Sequence, residues 1–189
     1  MTLPVIHREL FDTPGDVLPR PHANCYWLIP GCVLAGEHPA EVPAREVAAR
    51  IDALLDAGIR QFIDLTEDGE RPAYAPALHE RAAIRGLQAG YQRRAIRDLG
   101  VPSASLMRTI LDAINEAMKR GESVYVHCWA GVGRTGTVVG CLLREQGLTA
   151  DEALAVIARK WRAMEKCHRH EKSPEHPEQF ALIARWRPG

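Results

Sequence analysis

The chain has 189 residues, 46% of them hydrophobic, and its 24 basic residues balance 24 acidic ones. This length suits one domain with a proper core, and the balanced charge gives no overall field that would attract nucleic acid. No apolar run approaches the roughly 20 residues that a membrane helix needs, so we expect neither nucleic-acid binding nor membrane insertion.

The first forty residues are rich in proline and differ from the rest of the chain. Within them, CYWLIPGCVLAGEHP predicts two short strands around a Pro30-Gly31 turn, at an antiparallel edge of the sheet. The opening stretch MTLPVIHRELFDTPG has neither the charged nor the apolar region of a secretion signal, so we expect a cytoplasmic protein.

From residue 41 onward, helical and strand patterns alternate, which predicts an α/β fold with a mostly parallel sheet flanked by helices. The stretch AREVAARIDALLDAG predicts a helix that stops at Gly58, and the strand IRQFIDLT follows. Next, AYAPALHERAAIRGL predicts a weaker helix that Pro76 interrupts early, and YQRRAI predicts a strand.

The second half of the chain continues this alternation. Pro102 begins a helix that ends at Gly121, and the strand SVYVHC leads into a glycine-rich loop and the helix RTGTVVGCLLREQG. A capping box starting at Thr149 begins the next helix, and the Ser-Pro pair at 173–174 begins the last one.

No repeat, low-complexity tract or linker divides the chain. We therefore predict a single domain over residues 1–189, with N-terminal edge strands and loops in 1–40 and an α/β catalytic core in 41–189. The five cysteines form no C-x-x-C pair, which argues against a disulfide scaffold or a zinc ribbon.

The glycine-rich loop after the strand SVYVHC is the most informative stretch. A strand that runs into such a turn and then a helix places backbone N–H groups around one point, at the positive end of the helix dipole, where an oxyanion binds. Gly131 and Gly133 allow the backbone to approach the ligand closely. A nucleotide-binding P-loop would end in Gly-Lys-Ser/Thr, so this loop is not one.

Cys128 begins this loop and Arg134 ends it, with five residues between them. Converging amides, a helix N-terminus and a guanidinium favour a thiolate at neutral pH, and the planar fork of Arg134 matches two phosphate oxygens. A nucleophile below phosphorus with donors around its equatorial oxygens is what in-line phosphoryl transfer requires. We predict this chemistry without a metal or other cofactor.

The stretch HCWAGVGRTG, residues 127–136, resembles the signature loop of cysteine-dependent protein tyrosine phosphatases, in their dual-specificity branch and of a bacterial type. The resemblance implies a phosphotyrosine phosphatase-like fold and a phosphocysteine intermediate. It also implies that the phosphate is bound by the loop residues Trp129, Ala130, Gly131, Val132, Gly133 and Arg134.

Two further roles follow from the same resemblance. The hydroxyl of Thr135 would hydrogen-bond the sulfur and ease departure of the thiolate, although helix capping is an equal alternative. His127 would support the loop through hydrogen bonds rather than act as a base, because a thiolate formed in this way needs none.

The reaction also needs a general acid opposite the nucleophile. Loops beyond the C-terminal ends of parallel strands face the ligand crevice, which admits Asp64, Glu67, Asp68, Glu70 and Asp98. The segment RDLGVPS resembles the general-acid loop of the dual-specificity branch, which selects Asp98. We interpret Asp64, inside an apolar run, as a structural hydrogen-bonding residue.

Weaker signals lie near the C-terminus. KCHRHEKSPEH invites a metal interpretation, but His168 and His170 are two apart and do not converge, so a solvated cationic helix end is the better account. Gln179, in a stretch similar to one in bacterial members of the family, would either line the pocket or lie at the surface.

A second phosphate or acidic flank of the substrate could meet any of four arginines: Arg71, Arg93, Arg94 and Arg97.

The substrate is predicted from residues 129–133 of the loop, which carry no charge. Members of the resembled family that act on inositol phosphates often carry lysines in this loop, and here it has none. The resemblance therefore implies a phosphorylated protein or peptide as substrate, phosphotyrosine first and phosphoserine or phosphothreonine as well, with inorganic phosphate as product. A phosphoinositide or inositol-phosphate phosphatase is the alternative. Outside this class, a phosphate-binding pseudophosphatase or a rhodanese-like sulfurtransferase would also use such a loop.

Overall fold

The computed structural model describes residues 18–189, and these residues form five β-strands and six α-helices. The strands are β1 Cys25–Ile29, β2 Val33–Gly36, β3 Ile59–Asp64, β4 Gly90–Arg93 and β5 Ser123–His127. The helices are α1 Val47–Asp56, α2 Ala75–Ile84, α3 Ala104–Lys119, α4 Gly133–Glu145, α5 Ala150–Trp161 and α6 Pro177–Arg185. Short 3-10 helices span Ala44–Glu46 and Glu165–His168.

The strands form one sheet in the order β1-β2-β5-β3-β4. Strands β2, β5, β3 and β4 run parallel, and β1 pairs antiparallel with β2 at the edge. The predicted fold class, a mostly parallel sheet with an antiparallel N-terminal edge, is therefore confirmed. His127, the last residue of the central strand β5, lies level with Gly36 and Asp64 on the neighbouring strands, and this end of a parallel sheet is where ligands bind.

Alternate residues of each strand face opposite sides of the sheet and so supply two hydrophobic cores. Val124 and Val126 of β5 belong to the larger core, which α3, α4, α5 and α6 complete. Tyr125 of β5 and Phe62 of β3 belong to the smaller core, which α1 and α2 complete. Because β5 is buried on both faces, the loop that follows it starts from a fixed position.

Most predicted elements are present, and three differ from prediction. Pro76 does not interrupt α2 but lies in its first turn, where a missing N–H costs nothing. The last helix begins at Pro177 rather than at the Ser-Pro pair 173–174, because His176 is the residue that caps it through its Nδ1, 3.3 Å from the Glu178 N–H. The histidine-rich stretch begins in the 3-10 helix Glu165–His168 and not at the end of an α-helix.

The opening stretch MTLPVIHRELFDTPG, from which we expect a cytoplasmic protein, lies outside the described residues. Across residues 18–189, every helix is too short or too polar to cross a membrane.

Candidate active site

Cys128 lies at the carboxyl end of the central strand, directly after β5. Its side chain is buried, with 3% of its surface exposed, and it lines a cavity of about 340 Å³. Arg134, in the first turn of α4, and Asp98, on the loop after β4, line the same cavity. The structure thus brings together three residues that the sequence predicts to act on one phosphate.

The loop from Cys128 to Val132 is held from both sides. The backbone N–H of His38 donates to the carbonyl of Trp129 at 2.9 Å, and the hydroxyl of Ser173 donates to the carbonyl of Val132 at 2.8 Å. These bonds pin the loop between the end of β2 and the segment before α6, so its amides are oriented before any ligand arrives.

Gly131 is required by the path of this loop. Its φ is +77°, and a Cβ atom there would lie 2.5 Å from the carbonyl carbon of Gly36. A side chain would therefore be strained by the backbone angle and would also collide with the end of β2. Only glycine at position 131 therefore lets the loop pack against the end of β2.

Arg134 is held by three acceptors. Its Nη1 and Nη2 donate to the two carboxylate oxygens of Glu70 at 2.7 and 2.6 Å, Nη1 also donates to the carbonyl of Ile96 at 3.2 Å, and Nη2 lies 3.0 Å from Asp98 Oδ1. Burial opposes the charge of Arg134, but the bonds to Glu70 outweigh it and raise the pKa of the guanidinium. Arg134 is thus a fixed cation at the base of the cavity.

Glu70 is a functional residue that the sequence did not single out. It was one of five general-acid candidates, but both carboxylate oxygens are bound to Arg134 and one also accepts the Glu67 N–H at 2.9 Å. Burial raises the pKa of Glu70, and the bonds from Arg134 and Glu67 outweigh this and hold it below its usual value. An ionised carboxylate bound in this way holds the arginine; it does not donate protons.

Asp98 lies at the mouth of the cavity, with half of its side chain exposed. Its backbone N–H is 3.3 Å from the carboxylate of Glu67, so the turn at 67–70 contacts both Arg134 and the Asp98 loop. The next residue, Leu99, is the one non-glycine residue in 18–189 with a positive φ, 57°. A leucine in this conformation is strained, and such strain is common at functional sites.

Thr135 follows Arg134 in the first turn of α4. Its hydroxyl is buried and has no hydrogen-bond partner within residues 18–189. The N-cap residue of α4 is Val132, so Thr135 is not the helix cap. The hydroxyl remains available for the sulfur, and this role stays a prediction.

His127 belongs to a buried polar cluster behind the loop. Its Nε2 lies 2.6 Å from the Tyr74 hydroxyl and its Nδ1 lies 3.3 Å from the Cys128 carbonyl. Burial lowers the pKa of His127, so the ring is neutral at neutral pH. Its contacts suit a residue that supports the loop.

The same cluster contains a set of potential metal ligands. Donor atoms of His38, Asp64 and His127 lie within 4.8 Å of one another. They are already engaged: His38 Nδ1 accepts the Ala40 N–H, and Asp64 accepts bonds from Thr66 and from Tyr91. We therefore interpret the cluster as a hydrogen-bonded support for β5 rather than a metal site.

Gln179 is fully buried, so the alternative of a surface residue is wrong. Its side-chain oxygen accepts the N–H groups of Glu175 and His176 at 3.2 and 3.1 Å, and its amide donates to the Gly100 carbonyl at 3.2 Å. Gln179 thus joins the start of α6 to the Asp98 loop from behind the cavity.

The four arginines that could meet a second acidic group have different surroundings. Arg71 pairs with Glu41 and lies 4.8 Å above the ring of Trp129, whereas Arg93 pairs with Asp68 and Arg94 donates to Gln92. Arg97 is exposed. The basic residues that line the cavity besides Arg134 are instead Lys166, Arg169 and His170.

The chain matches a family model and several known proteins. Residues 22–179 match the model described as PTP-SAK: Swiss Army Knife protein, DSP-PTPase phosphatase domain. Over 118 residues the chain is 30% identical to protein tyrosine phosphatase domain-containing protein 1 of Mus musculus, a match that covers 58% of this chain and 16% of the mouse protein.

Solved structures agree with this match. A mutant form of Tk-PTP superposes with a TM-score of 0.65 and 27% identity, covering 85% of this chain and 91% of that one. PTPMT1 in complex with PI(5)P has a TM-score of 0.60 at 20% identity and covers 82% of this chain and 90% of that one, which is a likeness of fold. The signature loop, the sheet and the cavity all lie within the matched residues.

Proposed function

Because the chain belongs to the PTP-SAK family of DSP-PTPase phosphatase domains, we propose that it is an active cysteine-dependent phosphatase that hydrolyses phosphotyrosine in proteins or peptides, and phosphoserine or phosphothreonine as well. The observation that carries this proposal is the position of Cys128 beneath a cavity that Arg134 and Asp98 also line. A nucleophile, a cation and an acid around one cavity are the groups that phosphoryl transfer requires.

In the first step, the sulfur of Cys128 attacks phosphorus as the bond from phosphorus to the substrate oxygen breaks. The amides of residues 129–134 and the guanidinium of Arg134 hold the equatorial oxygens, where charge develops. Asp98 gives its proton to the departing oxygen, so the products are a phosphocysteine and a neutral alcohol or phenol.

The hydrogen bonds of Arg134 indicate how Asp98 becomes available. Two Nη hydrogens are taken by Glu70 and one by Ile96. Asp98 Oδ1 lies 3.0 Å from Nη2 as an ion pair, so Nε–H and the second Nη2 hydrogen remain for a ligand. A phosphate bound side-on to Nε and Nη2 would therefore take the place of Asp98 and not that of Glu70. This exchange leaves the Asp98 carboxyl free to carry a proton to the leaving oxygen.

In the second step, Asp98 accepts a proton from water as the water attacks phosphorus and the bond from phosphorus to sulfur breaks. The buried hydroxyl of Thr135 would donate to the departing thiolate. Inorganic phosphate leaves, and Cys128 is ready for another cycle.

The surroundings of the cavity favour an aryl phosphate. Leu99 and Trp129 line the cavity and are 52% and 40% exposed, and apolar side chains suit a phenol ring better than a polyhydroxylated inositol. The fold neighbour PTPMT1 is solved with PI(5)P, so a phosphoinositide substrate is the alternative, which the absence of lysine from residues 128–134 disfavours.

The proposal is tested with p-nitrophenyl phosphate and with a panel of phosphopeptides and inositol phosphates. Cys128→Ser should abolish turnover of p-nitrophenyl phosphate, whereas Cys32→Ser, at an exposed cysteine, should keep the parent rate. Turnover by Cys128→Ser at about a tenth of that rate or better would refute the nucleophile. Thiosulfate:cyanide activity would favour the sulfurtransferase, and phosphopeptide binding without any wild-type turnover would favour the pseudophosphatase.

A further inference from the structure

One wall of the cavity is basic, and no step of the proposed reaction uses it. Lys166, Arg169 and His170 line this wall, in and just after the 3-10 helix Glu165–His168. We call these three residues the basic wall. It belongs to the histidine-rich stretch, for which the sequence indicated only a solvated helix end.

The basic wall is anchored to the body of the protein. The backbone N–H of Lys166 donates to Asn24 Oδ1 at 3.0 Å, and its Nζ lies 2.7 Å from a carboxylate oxygen of the buried Glu37. The carbonyl of His170 accepts the Trp161 indole N–H at 3.0 Å. The wall is thus fixed at both ends, and Lys166 pairs with Glu37, a carboxylate that Arg50 also binds.

Arg169 carries the unbalanced charge of the wall. Its side chain is exposed, and within residues 18–189 no acidic group pairs with its guanidinium. The ring of His170 makes a T-shaped contact with the Trp161 ring, 6.4 Å between centroids. A cation that lines a reaction cavity without a counter-charge is free to pair with a ligand.

The acidic groups of the cavity do not neutralise Arg169. Asp98 is paired with Arg134 and Glu41 with Arg71. Glu175 is the remaining carboxylate, and its Oε1 lies against Gly133 at the beginning of α4, where the helix dipole favours negative charge.

We propose that Arg169, with His170 beside it, binds a second anionic group of the substrate, on a residue next to the phosphorylated one in a phosphopeptide. The proposal rests on the phosphatase function proposed above and adds the class of peptide. The planar guanidinium recognises a carboxylate or a phosphate in the same way, so the second group is an Asp or Glu side chain or another phosphorylated residue. Because Arg169 and Cys128 line one cavity, a single peptide reaches both.

The test compares three phosphotyrosine peptides that differ at the flanking residue, which is alanine, glutamate or phosphoserine. For the wild-type protein we expect kcat/KM for phosphotyrosine to be about 3-fold to 10-fold higher with either acidic flank than with alanine, as for a charge-assisted pair at a partly exposed site. Glutamate and phosphoserine arms distinguish the two sources of negative charge. High salt should reduce the preference.

Variants of one residue then locate the effect. Arg169→Ala should bring the ratio of acidic to neutral kcat/KM close to 1, and Arg169→Glu should reverse it in favour of the alanine flank. Arg162→Ala is the matched control, since Arg162 is another exposed arginine nearby that does not line the cavity, and it should keep the wild-type ratio. An equal ratio in wild type and Arg169→Ala overturns the proposal.

Binding to the Cys128→Ser protein separates this proposal from the proposed reaction. If wild type turns over no phosphopeptide but Cys128→Ser binds the acidic peptides more tightly than the alanine peptide, the anion subsite at Arg169 stands and the enzymatic proposal fails. If phosphotyrosine is hydrolysed but the three peptides have equal kcat/KM and equal affinity, the subsite fails and the enzyme stands. A preference for inositol bisphosphates over every acidic peptide also overturns it.

Discussion

Replacing Glu70 by glutamine should loosen Arg134 with almost no change in the shape of the site. The two carboxylate bonds to Arg134 are 2.6 and 2.7 Å long, and only 14% of the Glu70 side chain and 2% of the Arg134 side chain are exposed. Removing one partner of a buried ion pair costs about 3 to 5 kcal/mol when the other charge is left alone. Arg134 would keep Ile96 and Asp98, so we expect a smaller loss, about 2 kcal/mol.

This loss can be measured in two ways. In a chain of this size each kcal/mol shifts Tm by about 2 to 4 °C, so Glu70→Gln should melt about 4 to 8 °C lower. Because a misplaced catalytic group costs up to about 100-fold in rate, kcat/KM for p-nitrophenyl phosphate should fall about 10-fold to 100-fold. Glu116→Gln, which removes an exposed pair with Lys119, is the control and should change neither quantity.

The pH dependence gives a further check on Glu70. Its pKa is lowered in the folded protein, so the contribution of the pair is complete above the ordinary glutamate pKa of about 4.3 and disappears as the pH falls through the lowered value. The difference in Tm between wild type and Glu70→Gln should therefore narrow in acid. If Glu70→Gln has the Tm and kcat/KM of wild type at pH 7, Glu70 does not hold Arg134 and the reasoning is wrong.

Two other predictions follow from the backbone and from buried histidines. Gly131→Ala should lower kcat/KM for p-nitrophenyl phosphate at least about 100-fold, because the added Cβ would collide with Gly36. Gly121 has a similar φ, +74°, but open space around it, so Gly121→Ala is the control and should keep the activity. Equal losses in the two variants would contradict the steric account. Burial lowers the pKa of His22 to about 2 and of His38 to about 3, so the unfolded chain binds protons first and the free energy of unfolding should fall below about pH 6.5, by up to about 1.4 kcal/mol per pH unit for each histidine. Urea unfolding midpoints between pH 7 and pH 5 that do not change would contradict this.

Local signals in the sequence predicted the fold well. The alternation of periodic helices and apolar strands is set by short-range patterning, and the capping box at Thr149 and Glu152 is present in the structure. The predicted start of the last helix was wrong because both Pro174 and Pro177 can lie in a first helical turn. Which of them does so depends on tertiary contacts. Ser173 uses its hydroxyl to bind the loop carbonyl of Val132, which no local pattern indicates.

The part of the site that lies in one continuous motif was predictable from the sequence. The contacts between separate loops were not. Cys128 and Arg134 lie in one continuous stretch, so their proximity follows from the strand, turn and helix. The partner of Arg134 comes from a separate loop, and several carboxylates there were equally placed in the sequence. Glu70 is the one that reaches the guanidinium, after the turn at Gly69, whose φ is +75°. The same limit applies to Arg169, which reaches the cavity through folding of the C-terminal third.

The order of the strands places the two residues of the proposed reaction on different parts of the sheet. Cys128, the nucleophile that we propose, follows β5, which is enclosed by neighbours on both sides, whereas Asp98, the proposed proton donor, follows β4, a half-buried strand at the edge of the sheet. Local opening of this edge strand would therefore disturb proton transfer by Asp98, while Cys128 and the loop around it stay in place. Substitutions near Asp98 can accordingly alter which leaving groups are tolerated without rebuilding the centre of the molecule.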